Sequence, residues 1–186
     1  LYALLEQHQL PLIEDDVYAE LYFGSQPPKP VKSFDRAGLV MHCGSFSKCL
    51  APGYRVGWVA GGRYAAQIRR LKLMTTISPS VPAPAAIAES LQHGRSDPPL
   101  RSLRHALASQ QASMLASAAR HFPADTRVTR PAGGYFLWFE FAPQVDSLQL
   151  FKQALAEGIS LAPGPIFSAT RGFGHCARLN YGHPWD

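Results

Sequence analysis

Cysteine is scarce in this chain of 186 residues, which has three, at positions 43, 49 and 176. They form no C-x-x-C pair and are odd in number, which favours a reduced, cytoplasmic setting over a disulfide framework. The seven histidines show no metal-ligand spacing such as H-x-x-x-H, so the sequence predicts no metal site. No apolar run is long enough to cross a bilayer, which excludes an integral membrane protein.

Charge is also sparse, since Asp, Glu, Lys and Arg make up 17% of the residues, with a net charge of +5. This modest basic excess could help to bind an anionic ligand or nucleic acid, but it identifies neither. The nearest approach to a basic cluster is Arg69, Arg70 and Lys72, which we expect to face solvent or a partner subunit. Because no helix-turn-helix pattern is present, we expect no DNA contact by this chain itself.

Hydrophobic patterning predicts the fold class α/β, in three successive parts. The first part is residues 1–96, with predicted strands at 10–13, 39–43 and 55–60 and helices at 64–74 and 85–91. We expect the strand at 10–13 to be buried, and Ile68 and Leu71 to face inward from the helix at 64–74.

A long helix over about residues 98–120 dominates the second part, which we place at 97–122. Its apolar residues form one stripe that we expect to pack in the core: Leu100, Leu103, Leu107 and Met114. The third part, residues 123–186, is predicted to be a small α+β domain. It contains predicted strands at 127–129, 135–141, 159–162 and 177–181 and a helix marked by Leu148, Phe151 and Leu155.

Two predicted strands lead directly into polar side chains. The strand at 10–13 ends in three acids followed by Tyr18, and the strand at 39–43 runs into Ser45, Ser47 and Lys48. Two hydroxyls and the guanidinium of Arg55 around one turn suit a phosphate dianion. A lysine amine beside a phosphate site is the group expected to form a Schiff base with a phosphorylated aldehyde.

The acids after the first strand complete this chemical pattern. Asp15 could pair with a protonated pyridine nitrogen, and Tyr18 could donate to a phenolate oxygen. Pyridoxal 5'-phosphate carries the phosphate, the aldehyde, the ring nitrogen and the ring oxygen that these residues would serve. The sequence therefore points to this cofactor.

The segment SFSKCLAPGYRVGW resembles the lysine segment of fold-type-I pyridoxal-phosphate enzymes, the aspartate-aminotransferase-like class I/II group. The resemblance continues through LIEDDVYAEL, PAGGYFLWFEF, LAPGPIF and CARLNYG, and so covers essentially the whole chain. The segments IEDDVYAELYF and GSFSKCLAPGYRVGWVA are most similar to the MocR subfamily of GntR-type transcriptional regulators. Those regulators join a winged-helix DNA-binding domain to an aminotransferase-like domain.

The resemblance implies roles for seven residues and a place for each part of the fold. Residues 1–96 would be the C-terminal part of the large mixed-sheet domain, joined by the long helix to the small α+β domain. The cofactor would be held by Lys48 as a Schiff base, by Asp15 at the ring nitrogen, by Tyr18 at the ring oxygen, and by Ser45, Ser47 and Arg55 at the phosphate. Arg178 would clamp the α-carboxylate of an amino-acid ligand, and the Gly133-Gly134 and Pro163-Gly164 turns would line the cleft.

Some family features have no counterpart in this sequence. A glycine-rich helix start for the phosphate, an aromatic side chain that stacks on the ring, an Asn near the ring oxygen and a closing C-terminal helix are all absent. We therefore expect the chain to be a C-terminal fragment that would not bind the cofactor tightly alone. By resemblance, the intact protein is expected to be a homodimer.

Three functions remain open at this point. The chain could be the effector-sensing domain of a transcriptional regulator that meets DNA only through a winged-helix domain outside this chain. It could instead be part of a working amino acid aminotransferase, in which Lys48 moves the α-proton. A third possibility is a relic that no longer uses pyridoxal phosphate.

Overall fold

A computed structural model describes residues 1–94 and 97–183 of the chain, apart from the side chain of residue 97. The chain divides into two compact units, Leu1–Leu103 and Arg104–Asp186. The division falls inside the longest helix, α4, which runs over Asp97–His121. Each unit has its own sheet and is described by itself.

The first unit is built on a mixed three-stranded sheet in the order β1-β2-β3. Its strands are β1 (Leu12–Asp15), β2 (Val40–Ser45) and β3 (Gly57–Ala60), and its helices are α1 (Tyr2–His8), α2 (Ala65–Thr76) and α3 (Pro82–Gln92). β1 and β2 are parallel, whereas β2 and β3 are antiparallel. Short 3₁₀ helices at Val31–Phe34, Pro52–Tyr54 and Gly62–Tyr64 lie in the connections.

A buried carboxylate fixes the start of β2. The side chain of Asp35 has no exposed surface; its two oxygens accept the backbone N–H groups of Leu39 and Val40, both at 3.0 Å, and the Lys32 amine at 2.8 Å. Burial raises the pKa of this carboxyl, but the hydrogen bonds from Lys32, Val40 and Leu39 outweigh burial and lower the pKa to about 2. Asp35 therefore stays ionised and holds the chain in the direction that β2 requires.

The second unit contains a four-stranded sheet in the order β4-β5-β7-β6, in which every neighbouring pair is antiparallel. Its elements are β4 (Arg127–Val128), β5 (Phe136–Glu140), α5 (Ser147–Ala156), β6 (Ala162–Pro163), a 3₁₀ helix (Gly164–Phe167) and β7 (Cys176–Asn180). Asp146 caps α5, since its side chain accepts the backbone N–H groups of Leu148 and Gln149.

Alternation along β5 and β7 gives this second sheet one buried and one open face. Leu137, Phe139 and Ala177 point to the buried face and have no exposed surface. Of the predicted stripe on α4, Leu107 is also buried, whereas Leu100, Leu103 and Met114 are half-buried. The residues between them, among them Trp138 and Arg178, lie on the open face and are half-buried.

Tyr181 joins three segments of the second unit. Its hydroxyl donates to the carbonyl of Gly133 at 3.3 Å and accepts from the amide of Gln111, which also donates to the carbonyl of Pro131 at 2.9 Å. The residue itself is 1% exposed. The turn that precedes β5 is thereby tied to α4 and to the end of β7.

The predicted helices and strands are present, with ends displaced by a few residues, but two burial predictions are wrong. Ile13 of β1 is 69% exposed. On α2, Ile68 is half-buried but Leu71 is 61% exposed. Periodicity identifies an apolar face, but it does not show whether another element of the chain covers that face.

Replacing Asp35 with Asn should lower the free energy of unfolding by about 1–3 kcal/mol at neutral pH, because a buried charged acceptor of three hydrogen bonds is lost. Urea denaturation of the full-length protein measures this change. The folded pKa lies below its ordinary value, so the stabilisation is complete above about pH 4 and disappears as pH falls toward about 2.

Asp125→Asn is the matched control, because Asp125 is an exposed carboxylate of the same type. It should leave the free energy of unfolding unchanged across the same pH range. An Asp35→Asn variant as stable as the wild type at neutral pH would show that the carboxylate does not hold β2.

Candidate cofactor site

The three consecutive acids at the end of β1 have three different environments. Glu14 accepts the backbone N–H groups of Val31 and Lys32 at 2.6 and 3.0 Å and so caps the 3₁₀ helix that begins there. Asp16 pairs with the imidazole of His42 at 2.8 Å. Asp15 lies between them on the other face of the sheet, in register with Cys43 of β2, and is exposed.

Asp15 keeps most of its hydrogen-bonding capacity. The backbone N–H of Val17 donates to Oδ1 at 3.4 Å, a long contact. Burial, and next the charge of Asp15, raise the pKa of the Cys43 thiol, so a neutral group lies beside this carboxylate. An exposed carboxylate with spare acceptor positions can pair with a cationic ring nitrogen.

On the opposite face of the sheet, the Trp58 side chain of β3 lies across the neighbouring strand β2. Gly44 is in register with Trp58, and a Cβ atom at position 44 would lie 2.3 Å from the indole ring. The indole also meets His42 edge to face, with ring centroids 5.0 Å apart. Glycine at position 44 therefore lets the indole cover the strand that leads to Ser47 and Lys48.

A closed loop brings the predicted phosphate-binding residues together. The backbone N–H of Phe46 donates to the carbonyl of Val56 at 3.0 Å, which joins the two ends of the loop over residues 46–56. At this junction the Arg55 guanidinium donates to the Ser47 hydroxyl at 3.1 Å, and the Ser47 backbone N–H donates to the Ser45 hydroxyl at 3.1 Å. Arg55 has a left-handed backbone, with φ 54°, which turns the chain back toward Ser47.

Lys48 and Tyr18 also meet at this edge of the sheet. The amine of Lys48 lies 5.8 Å from the centre of the Tyr18 ring. Tyr18 follows β1 and Lys48 follows β2, and parallel strands end at the same edge of a sheet. The lysine is exposed, so its amine is accessible to an aldehyde.

These residues fit pyridoxal phosphate by the chemistry of their donor set. A guanidinium and two hydroxyls suit the phosphate, an accessible amine suits the aldehyde, and a carboxylate suits the ring nitrogen. The first unit brings Ser45, Ser47 and Arg55 into one hydrogen-bonded group and places Lys48 against Tyr18. Their roles toward a cofactor stay predictions.

Arg178 belongs to the second unit, and its contacts lie within that unit. Its guanidinium carbon lies 4.0 Å from the centre of the Phe136 ring and 4.6 Å from that of Phe167. Within residues 1–94 and 97–183, no carboxylate lies within ion-pairing distance of it. A half-buried guanidinium of this kind is available to an external anion.

These rings around Arg178 are absent from the residues that the sequence assigns to the site. A signal was present, because Phe136 and Trp138 alternate along β5 and so share a face. The contribution of Phe167 depends on how the 3₁₀ helix folds over the sheet. Gly164 at the start of that helix lets the helix lie against the backbone of Phe173, since a Cβ there would collide with the Phe173 carbonyl.

In the part of the chain that the structure describes, no helix is long and apolar enough to span a membrane. A search of the same residues finds no group of three or more His, Cys, Asp and Glu side chains placed to hold a metal ion.

Comparisons with known proteins cover the whole chain. An uncharacterized HTH-type transcriptional regulator, YdcR of Escherichia coli K12, is 44% identical over 185 residues, which are 100% of this chain and 40% of the regulator. The multiple substrate aminotransferase of Thermococcus profundus superposes with a TM-score of 0.93 at 26% identity, over 99% of this chain and 46% of the enzyme.

The α-aminoadipate aminotransferase LysN of Thermus thermophilus, solved with N-(5'-phosphopyridoxyl)-L-leucine, superposes with a TM-score of 0.90 at 31% identity. The match covers 97% of this chain and 47% of LysN, so the chain spans about half the length of each relative or less. The model of the family described as aminotransferase class I and II matches residues 1–185. The chain therefore belongs to the aminotransferase class I and II family.

Proposed function

We propose that this chain is the pyridoxal-phosphate-binding, amino-acid-sensing domain of a GntR/MocR-type transcriptional regulator. The observation that carries the proposal is the 44% identity to an HTH-type regulator along the full length of the chain. DNA would be bound through a winged-helix domain outside this chain. None of the three cysteines forms a disulfide, which suits a cytoplasmic protein, and a homodimer is the expected assembly for a family member.

The loop after β2 would hold two ends of the cofactor. Ser45, Ser47 and Arg55 would bind the phosphate, because their hydroxyl and guanidinium groups already gather at one junction. Lys48 follows directly in the chain, and its accessible amine would hold the cofactor covalently at the aldehyde. When bound, pyridoxal phosphate supplies a carbonyl that reacts with amines and a ring that accepts electrons.

Asp15 at the end of β1 and Tyr18 just after it would orient the ring. Asp15 would keep the ring nitrogen protonated, since its carboxylate is exposed and makes one long backbone hydrogen bond. Tyr18 would donate its hydroxyl to the ring oxygen, and it lies close to the Lys48 amine. Arg178 of the second unit would receive the α-carboxylate of the amino acid through its guanidinium fork.

An active aminotransferase is the second candidate. It is favoured by the TM-scores of 0.93 and 0.90 to two aminotransferases. In that case Lys48 would carry the α-proton, and amino acids would be converted to 2-oxo acids. Both candidates use the same residues, so they differ in what the protein does after an amino acid binds.

DNA binding separates the two candidates. The full-length protein, loaded with pyridoxal phosphate, is titrated against the DNA upstream of its own gene with and without each L-amino acid. A regulator should change its DNA affinity by about tenfold or more with at least one amino acid, a coupling typical of allosteric proteins. Formation of 2-oxo acid with no effect of any amino acid on DNA binding would favour the aminotransferase instead.

Lys48→Ala should abolish covalent cofactor attachment. The full-length protein is incubated with pyridoxal phosphate, reduced with borohydride and digested, and the modified peptide is identified by mass spectrometry. The wild type should carry the modification on Lys48, and Lys29→Ala, which changes another exposed lysine, should retain it. Attachment of the cofactor at a different lysine would contradict the assignment of Lys48. Absence of any attachment in the wild type would also contradict it, and this is the result expected for a relic that no longer uses pyridoxal phosphate.

Arg178→Lys should weaken amino-acid binding by about tenfold or more, since lysine keeps the charge but loses the two-pronged hydrogen bond to a carboxylate. The change in visible absorption of the bound cofactor on amino-acid addition gives the dissociation constant. Arg130→Lys is the control, because Arg130 is an exposed arginine of the same unit. Equal affinities for Arg178→Lys and the wild type would exclude Arg178 as the carboxylate site.

A further inference from the structure

The open face of the second sheet carries a group of aromatic side chains around one arginine. Trp138 of β5 is directly opposite Arg178 of β7, and Phe136 lies two residues along on the same face. Phe167 reaches this face from the 3₁₀ helix Gly164–Phe167. We call Phe136, Phe167 and Trp138 the aromatic group.

Two members of the aromatic group touch the arginine, and the third supports one of them. The rings of Phe136 and Phe167 lie 4.0 and 4.6 Å from the guanidinium carbon of Arg178, distances within the range of cation–π contacts. The Trp138 ring meets the Phe167 ring nearly edge to face, with centroids 5.5 Å apart and an interplanar angle of 72°. Phe167 therefore packs against Trp138, although it is 41% exposed.

Aromatic contacts affect an arginine differently from an ion pair. A carboxylate partner would use the N–H donors along the guanidinium edge and neutralise its charge. Aromatic rings attract the cation but accept none of its strong in-plane hydrogen bonds, so those donors remain for a ligand. Ring contacts also restrict a long side chain that would otherwise lose rotamer freedom when a ligand binds.

We propose that Phe136 and Phe167 are positioning residues that hold the guanidinium of Arg178 in place for the planar α-carboxylate of an amino acid. The inference rests on the proposed function, in which Arg178 receives that carboxylate. It adds a means by which one sheet face selects amino acids over amines. The selectivity comes from pre-organising the arginine, not from a contact between the rings and the ligand's side chain.

Phe167→Ala tests the inference, with Phe173→Ala as its matched control. Both phenylalanines contact Trp138, at 5.5 and 5.6 Å between ring centroids, and Phe173 is the more exposed at 53%. Within the described residues only Phe136 and Phe167 place a ring over Arg178. Phe167→Tyr keeps the ring face over Arg178 and should restore the amino-acid affinity that Phe167→Ala loses.

The probes are four amino acids and the amines that lack their α-carboxylate. L-alanine, L-leucine, L-phenylalanine and L-glutamate are compared with ethylamine, 3-methylbutylamine, 2-phenylethylamine and 4-aminobutyrate. Dissociation constants come from the absorption change of the cofactor-loaded, full-length protein. Phe167→Ala should weaken binding of the responding amino acid by about tenfold and leave its amine unaffected, whereas Phe173→Ala should affect neither.

Several results would overturn the inference. Equal weakening of amino acid and amine would show that Phe167 only shapes the cavity, and unchanged binding of both would show that it does not act on Arg178. If none of the four amino acids alters the wild-type spectrum, Arg178 has no carboxylate to receive, although cofactor absorption without ligand would leave the Lys48 assignment intact.

A cofactor-independent measurement separates failure of the inference from failure of the proposed function. Saturation-transfer NMR of propionate reports carboxylate binding whether or not pyridoxal phosphate is attached. Signal that falls in Arg178→Gln and Phe167→Ala but persists in Phe173→Ala would support the positioning role even if Lys48 held no cofactor. Signal that is the same in all variants would overturn it.

Discussion

The parallel pairing of β1 and β2 is the constraint on which the candidate site depends. Because the strands run in the same direction, the residues that follow them emerge at one edge, which brings Tyr18 to Lys48 and leaves Asp15 beside Cys43. Pairing in the opposite direction would place these two segments at opposite ends of the sheet. The bond from Phe46 to Val56 then folds the next eleven residues, 46–56, back on themselves, so Arg55 returns to Ser47.

The two units present their cations in different ways that suit different anions. Arg55 donates to the Ser47 hydroxyl in a tight loop, and a guanidinium beside two hydroxyls suits a tetrahedral dianion. Arg178 is held by rings on an open sheet face, where its flat edge remains for a planar carboxylate. A phosphorylated cofactor and an amino acid present these two kinds of anion, so the proposed function accounts for both arrangements.

The same residues would serve a sensor and a catalyst, because both must bind the cofactor and exchange it with an amino acid. The distinction lies in whether binding ends in a released 2-oxo acid or in altered presentation of a DNA-binding domain. The relatives include both kinds of protein, since the chain is 44% identical to an HTH-type regulator and superposes with TM-scores of at least 0.90 on two aminotransferases.

Local features of the chain were predictable from the sequence, and features that depend on distant contacts were not. The S-x-S-K segment and Arg55 are ten residues apart at most, so one closed loop explains their meeting. The separate tasks of Glu14 and Asp16 depend on Val31 and His42, which are far away in the chain and which the local pattern does not reveal. The same reason explains why the local pattern places Leu71 inside and does not place Phe167 over Arg178.

A crystal structure of the full-length protein grown with pyridoxal phosphate tests the central claim most directly. The account predicts continuous density from the Lys48 amine to the cofactor, with its phosphate within hydrogen-bonding distance of Ser45, Ser47 and Arg55 and its ring nitrogen beside Asp15. A cofactor bound elsewhere, or a phosphate held without Ser47 and Arg55, would contradict the account.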